Sequence, residues 1–272
     1  YFPAGASALN GFSFTGNYIS GIIYNLELIK KTNILGIFDK NISSAQYIDE
    51  RNLYKVGSVQ KKLNEIYYLK CAYCEQKLLD APKHIEHYRP KDLYYWLAYS
   101  WDNLLLSCGS CNSSKGIKFQ VKKTIVTYNN ESFEDIHSLG NSYDVIEEPM
   151  VVNPEKEDVL DKLVFDKDGN ISSLDDRVIY TINDVCNLNR NELVQKRVKL
   201  LNDFINKINE HYLLFLIKGD LSRFKPEIKF FIDECSVENE FYSFRYFILN
   251  HIELFFEDIG KQRILKGLIP KI

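Results

Sequence analysis

No apolar run in this chain approaches the eighteen or so residues needed to cross a bilayer. The opening stretch, YFPAGASALNGFSFTGN, lacks the basic start and compact apolar segment of a secretory leader. Those two absences set aside the membrane and exported classes and make the cytoplasm the expected location. An initiator Met is also missing, as at a fragment boundary, and residues 1–42 carry no motif to which a role attaches. Nor is there a general excess of positive charge: 34 Lys and Arg against 37 Asp and Glu leave a net charge of −3. The distribution is uneven, however. From Lys55 to Lys123 twelve Lys and Arg face six Asp and Glu, giving +6 there and −9 elsewhere. One stretch therefore suits a polyanion and the remainder other contacts. Scattered solvated lysines are the competing account.

What is present is an ordinary globular composition, 45% apolar and 26% charged over 272 residues, enough for one large domain or two small ones. Six cysteines are clustered rather than spread. Cys71 and Cys74 form one C-x-x-C, Cys108 and Cys111 a second, and Cys186 and Cys235 stand alone as small side chains for a core. Without a leader, metal is favoured over disulfides. Four thiolates suit tetrahedral Zn2+ in a closed structural site, and a closed site leaves no position for zinc-based redox or hydrolytic chemistry. The 33 residues between the knuckles are more than a zinc ribbon needs, so something is built there.

Residues 43–70 carry apolar residues at intervals of three and four and are predicted helical. HIEHYRP (84–90) reads as a short strand stopped by Pro90, NLLLSC (103–108) as a second strand, and GSCNSSKG as a turn into a short helix. Polar, acidic residues around 125–150 suggest a boundary. LVFDKDGNIS reads as a hairpin; as a calcium loop it lacks the closing Glu. From Leu174 onward the pattern is amphipathic helix, with Phe and Tyr stripes of the core type. His211 and His251 lie on these helices without ligand-like neighbours, and His137 lies in a loop.

Zinc would fold residues 75–107 back on themselves and bring IEHYRP, Asn103 and Asn112 together. An imidazole, a carboxylate and carboxamides beside a basic surface can hold one hard cation and activate water against a phosphodiester. Arg89, Lys91 and Lys115 are placed to meet phosphates. His84, three residues from His87, falls on the other face of a strand and is expected to pack or lie at the surface.

On CAYC, IEHYRPK, WDNLLLSC and CGSCNSSKG, the chain resembles the HNH endonuclease family in its four-cysteine form. The resemblance implies a ββα-metal fold with His87 as general base, Glu86 as metal ligand, Asn103 ordering the loop that holds the base, and Asn112 as second metal ligand. The catalytic metal it implies is Mg2+ or Mn2+. Glu stands where Asp is commoner, and Asn where His often closes the motif. Residues 86 and 87 point to opposite faces of a regular strand, so the strand must end or twist there for both to serve one site.

A narrower resemblance, carried further by NPEKED, LVFDKDGNI and TINDVCNLNRNELVQKR, is to the PtuB-type HNH proteins of Septu and retron anti-phage systems. It implies an ABC/SMC-like ATPase partner of the PtuA type and a nucleic-acid substrate, DNA favoured and RNA possible. The expected fold is α+β, mostly α: a segment of unknown role at 1–42, a zinc-stabilised ββα-metal nuclease domain at 43–125, an acidic linker at 126–150, and a helical C-terminal domain with a short hairpin at 151–272, suited to partner binding. The alternative function is a zinc-stapled nucleic-acid- or protein-binding adaptor without catalysis.

Overall fold

The computed structural model describes residues 53–55, 57–98, 100–128 and 139–269. Residues 1–42, the first ten residues of the expected 43–70 helix and His137 lie outside them. Helix α1 (Gly57–Ile66) buries Val59 and Leu63, one turn apart. The chain then leaves helical geometry at Tyr68 and Leu69, both with positive φ, and enters the first knuckle. Strand β1 (Lys83–His87) pairs antiparallel with β2 (Leu104–Cys108), from Lys83 opposite Cys108 to His87 opposite Leu104. All five residues of β2 are buried, as expected of a strand that reads as an almost continuous apolar run. Helix α2 (Gly109–Lys115) follows without a break, completing a ββα unit.

The stretch expected as an acidic linker is partly helix and largely structural. Helix α3 (Leu139–Glu147) brings Glu147, fully buried, against Arg89. Glu147 Oε2 accepts from Arg89 Nε at 3.0 Å, and Asp144 Oδ1 accepts from the same guanidinium at 2.6 Å. Tyr94 Oη and the Val126 amide donate to the other Glu147 oxygen at 2.6 and 2.8 Å. Rings of Tyr88, Tyr94, Phe119 and Tyr143 surround the guanidinium, with centroids 5.3–5.8 Å away. Asp144 and Glu147, which read as solvent-facing linker, are thus counter-ions for one internal arginine.

Beyond this point the hairpin is as expected. β3 (Val164–Phe165) pairs with β4 (Ile171–Ser172), and Gly169 at φ +77° donates its amide to Asp166 O. A Cβ at Gly169 would stand 2.8 Å from Val194 O, so both the turn and the close approach call for glycine. Helix α4 (Asp176–Tyr180), capped by Asp175, runs into one π-helical turn, Thr181–Val185. The 28-residue α5 (Asn191–Lys218) then packs against α6 (Phe224–Glu234), where Phe204 and Phe231 stack at 3.8 Å. Short helices α7 (Tyr242–Asn250), α8 (Ile252–Phe255) and α9 (Ile259–Leu268) close the fold. One buried apolar cluster runs from Tyr54 to Leu265 through both halves. No described helix is long and apolar enough to cross a membrane.

Two predictions follow from these internal charges. Glu147→Ala leaves a buried guanidinium with one carboxylate and should lower stability by about 3–5 kcal/mol, read as a shifted denaturation midpoint with unchanged slope. Glu155, which accepts from the Tyr67 hydroxyl, is pushed up by burial to about 7. Its protonated form is therefore favoured in the folded state, and its contribution to stability fades as pH rises from about 4.5 to about 7. Glu155→Gln should flatten that part of the stability–pH curve.

Candidate nuclease site and metal centre

The two knuckles converge. Sulfur atoms of Cys71, Cys74, Cys108 and Cys111 all lie within 4.8 Å of one another, and all four residues are buried. The Cys74–Cys108 separation of 3.8 Å is the edge expected of a tetrahedron with Zn–S bonds of about 2.3 Å. Local backbone prepares each knuckle. Glu75, at φ +59°, donates its amide to Cys71 O, and the Ala72 amide donates to Leu106 O of β2. Cys108 caps α2, its sulfur accepting the Cys111 amide at 3.3 Å. The residues fit a closed, structural Zn2+ site. Sequence reasoning missed Arg190, at the start of α5, whose guanidinium donates to Cys111, Cys74 and Cys108 at 3.5–3.6 Å. It lies 79 residues beyond Cys111, and only the π-helical turn and Asn187 at φ +46° bring it back.

His87 is the last residue of β1 and 5% exposed. Its Nε2 lies 2.9 Å from Ala98 O, and Tyr54 packs edge-on with ring centroids 4.6 Å apart. A carbonyl only accepts, so Nε2 carries the proton and Nδ1 keeps its lone pair. Burial lowers the imidazole to about 4, which keeps it neutral at neutral pH. The loop that supplies Ala98 is held by Asn103. Its Oδ1 accepts from the Arg89 amide at 2.7 Å, and its Nδ2 donates to Arg89 O and Leu97 O at 3.0 and 3.2 Å.

Glu86 is turned toward α2. Its Oε1 accepts from Lys115 Nζ at 2.8 Å, and the same ammonium donates to His87 O at 2.7 Å. Burial raises the Glu86 carboxyl while the adjacent ammonium opposes that rise. Asn112 is one turn before Lys115 on α2, so both present to the same face, and the half-buried Asn112 side chain makes no hydrogen bond among the described residues. Glu86 and Asn112 both carry oxygen atoms of the kind a hard cation takes, and Lys115 already occupies Glu86 Oε1. His84 shares the Glu86 face, its Nε2 3.3 Å from where a Cβ on Gly109 would stand.

Two of the three expected phosphate contacts are corrected. Arg89 is 1% exposed and Lys115 0% exposed, Arg89 held by Asp144 and Glu147 and Lys115 by Glu86, so neither is open to a phosphate. Lys91 is half-buried on the His87 side, 5.9 Å from the Tyr54 ring.

With two antiparallel strands, a following helix and the histidine at the end of the first strand in place, the comparison with known families is direct. Residues 71–118 match the HNH endonuclease family. Beyond that segment the chain is similar to a Septu protein PtuB of Bacillus mycoides (strain KBAB4), 32% identical over 55% of this chain and 53% of that protein. It is also similar to a Septu protein PtuB of Bacillus thuringiensis, 40% identical over 25% of this chain and 27% of that protein. A Septu protein PtuA of Bacillus mycoides (strain KBAB4) is 25% identical over 78% of this chain and 29% of that protein. The chain thus spans about half the length, or less, of the curated relatives it matches.

The zinc-binding geometry is checked by metal analysis. The purified chain should carry one Zn2+, and Cys111→Ser or strong chelation should remove it together with the cooperative unfolding transition.

Proposed function

We propose that this chain is a metal-dependent HNH endonuclease that hydrolyses nucleic-acid phosphodiester bonds and serves as the effector nuclease of an anti-phage defence complex. The observation that carries the reading is His87: neutral, buried, fixed in one tautomer by Ala98 O, and set at the end of β1 inside the matched segment. In the proposed reaction His87 Nδ1 takes a proton from water as the water oxygen bonds to phosphorus, and the ester oxygen departs on the far side. Asn103 keeps the loop, and through it the imidazole, in place. Glu86 and Asn112 would hold a Mg2+ or Mn2+, which would supply charge stabilisation for the pentacoordinate phosphorus and the leaving oxygen. Lys115, by occupying Glu86 Oε1, fixes which carboxylate oxygen remains available.

DNA is the favoured substrate and RNA the second; a site that engages backbone phosphate rather than base edges does not itself separate the two. Similarity to proteins named PtuB and PtuA supports a Septu-type assignment, in the cytoplasm, with an ABC/SMC-like ATPase of the PtuA type as partner. A retron system is the neighbouring possibility within that type. The end of α5 supports docking: Leu213, Leu216 and Ile217 are 61%, 62% and 76% exposed, at helical spacing.

His87→Ala should lower cleavage about 10²–10⁴-fold with zinc content unchanged. The assay uses DNA and RNA, with and without the ATPase encoded beside this gene. A His87→Ala protein that cuts as fast as wild type, with contaminating nuclease excluded, overturns the nuclease reading in favour of a zinc-stapled adaptor.

A further inference from the structure

We infer that Tyr54, in the turn Leu53–Lys55 ahead of α1, is a positioning residue for the general base: its ring holds the His87 imidazole at the tilt needed for proton transfer. The inference rests on the nuclease reading of His87. It gives a role to a residue outside the segment 71–118 that matches the HNH endonuclease family. Three observations carry it. Among the described residues the His87 ring has one hydrogen-bond partner, Ala98 O at 2.9 Å from Nε2, and one aromatic partner, Tyr54. The two rings stand with centroids 4.6 Å apart and planes at 73°, the edge-to-face arrangement that aromatic pairs favour. Tyr54 is itself fixed, being 4% exposed and part of the buried apolar cluster that also takes Val59 and Leu63 of α1.

A single hydrogen bond holds one edge of a ring and leaves its plane free to rock about that edge. Rocking toward Tyr54 is blocked by contact, and rocking away loses the contact, so the pair selects one tilt. An aromatic pair of this kind favours its geometry by roughly two- to tenfold. Proton transfer is sensitive to that tilt, because a catalytic group has to be held within about 10–20° of its productive direction. The two supports reach the base from opposite sides of the first knuckle in sequence. Ala98 belongs to the excursion between the cysteine pairs, whereas Tyr54 precedes Cys71. The base is thus located by its own loop at Nε2 and by the turn before α1 through its aromatic contact.

The test uses the full zinc-loaded chain and a labelled DNA, with Mg2+, under conditions in which cleavage depends on His87. Tyr54→Leu keeps apolar volume and removes the ring; it should lower kcat about fivefold with KM and zinc content unchanged. Tyr54→Phe restores the ring and should restore kcat. In a His87→Ala background, Tyr54→Leu should lower the residual rate no further, as expected of a residue that acts through the base. A role in folding alone lowers both rates alike. In the wild-type chain, a nuclear Overhauser contact between the ring protons of Tyr54 and His87 reads the pair with no substitution, whether or not Tyr54→Leu folds. Parental kcat in Tyr54→Leu, equal losses in the two backgrounds, or absence of the wild-type contact overturns the inference. Cleavage that does not depend on His87 brings down the nuclease reading itself; cleavage that depends on His87 but not on the Tyr54 ring brings down this inference alone.

Discussion

Four sulfur atoms drawn to one point are the constraint on which the rest of the site depends. The first pair ends the connection from α1, and the second ends β2 and starts α2. Once they meet, the 33 intervening residues become a closed excursion of fixed ends. The strand pair then has its register set at Cys108, opposite Lys83, and four residues further along that same register His87 arrives opposite Leu104. Arg190 extends the constraint to the other half of the molecule. Four thiolates around a divalent cation leave excess negative charge, and the guanidinium that answers it belongs to Arg190, the residue that caps the start of α5. The C-terminal helices are therefore tied to the metal centre by electrostatics as well as by apolar contact.

The buried cations beside the site, Arg89 and Lys115, are each provided with their own counter-charge. Arg89 has two carboxylates and a ring of aromatic side chains, and Lys115 has one carboxylate and one carbonyl. Each set joins elements that sequence separates: Arg89 joins the loop after β1 to α3, and Lys115 joins the end of α2 to β1. A phosphate contact can exchange its ligand with solvent; these residues hold backbone in place.

Much of the local structure was legible because it depends on short-range pattern. The zinc cluster follows from two C-x-x-C spacings, the hairpin from Asp-Gly-Asn between apolar pairs, and β2 from an unbroken apolar run. Pairings across long separations left no such pattern. Asp144 and Glu147 lie 55 and 58 residues from Arg89, within a segment whose polarity reads as linker. Periodicity says that a helix has two faces, but not that one face neutralises a distant guanidinium. Lys115 was legible as a cation near the motif, yet its partner depends on the tilt of α2 against β1, which spacing does not encode. Tyr54 fell outside any motif and became visible only as the wall beside His87.

The first knuckle has a further property in the order of chain synthesis. Glu75 accepts from the amide and hydroxyl of Ser243, Lys70 donates to Asn239 O, and the Lys77 amide donates to Glu240. These contacts bridge about 170 residues. A ribosome that has just released the second cysteine pair has made the thiols that bind zinc, but not the strand of backbone that fixes the knuckle around them. The metal-binding segment reaches its final packing only after the start of α7 has emerged, so translation delays the finished site until nearly all of the described chain exists.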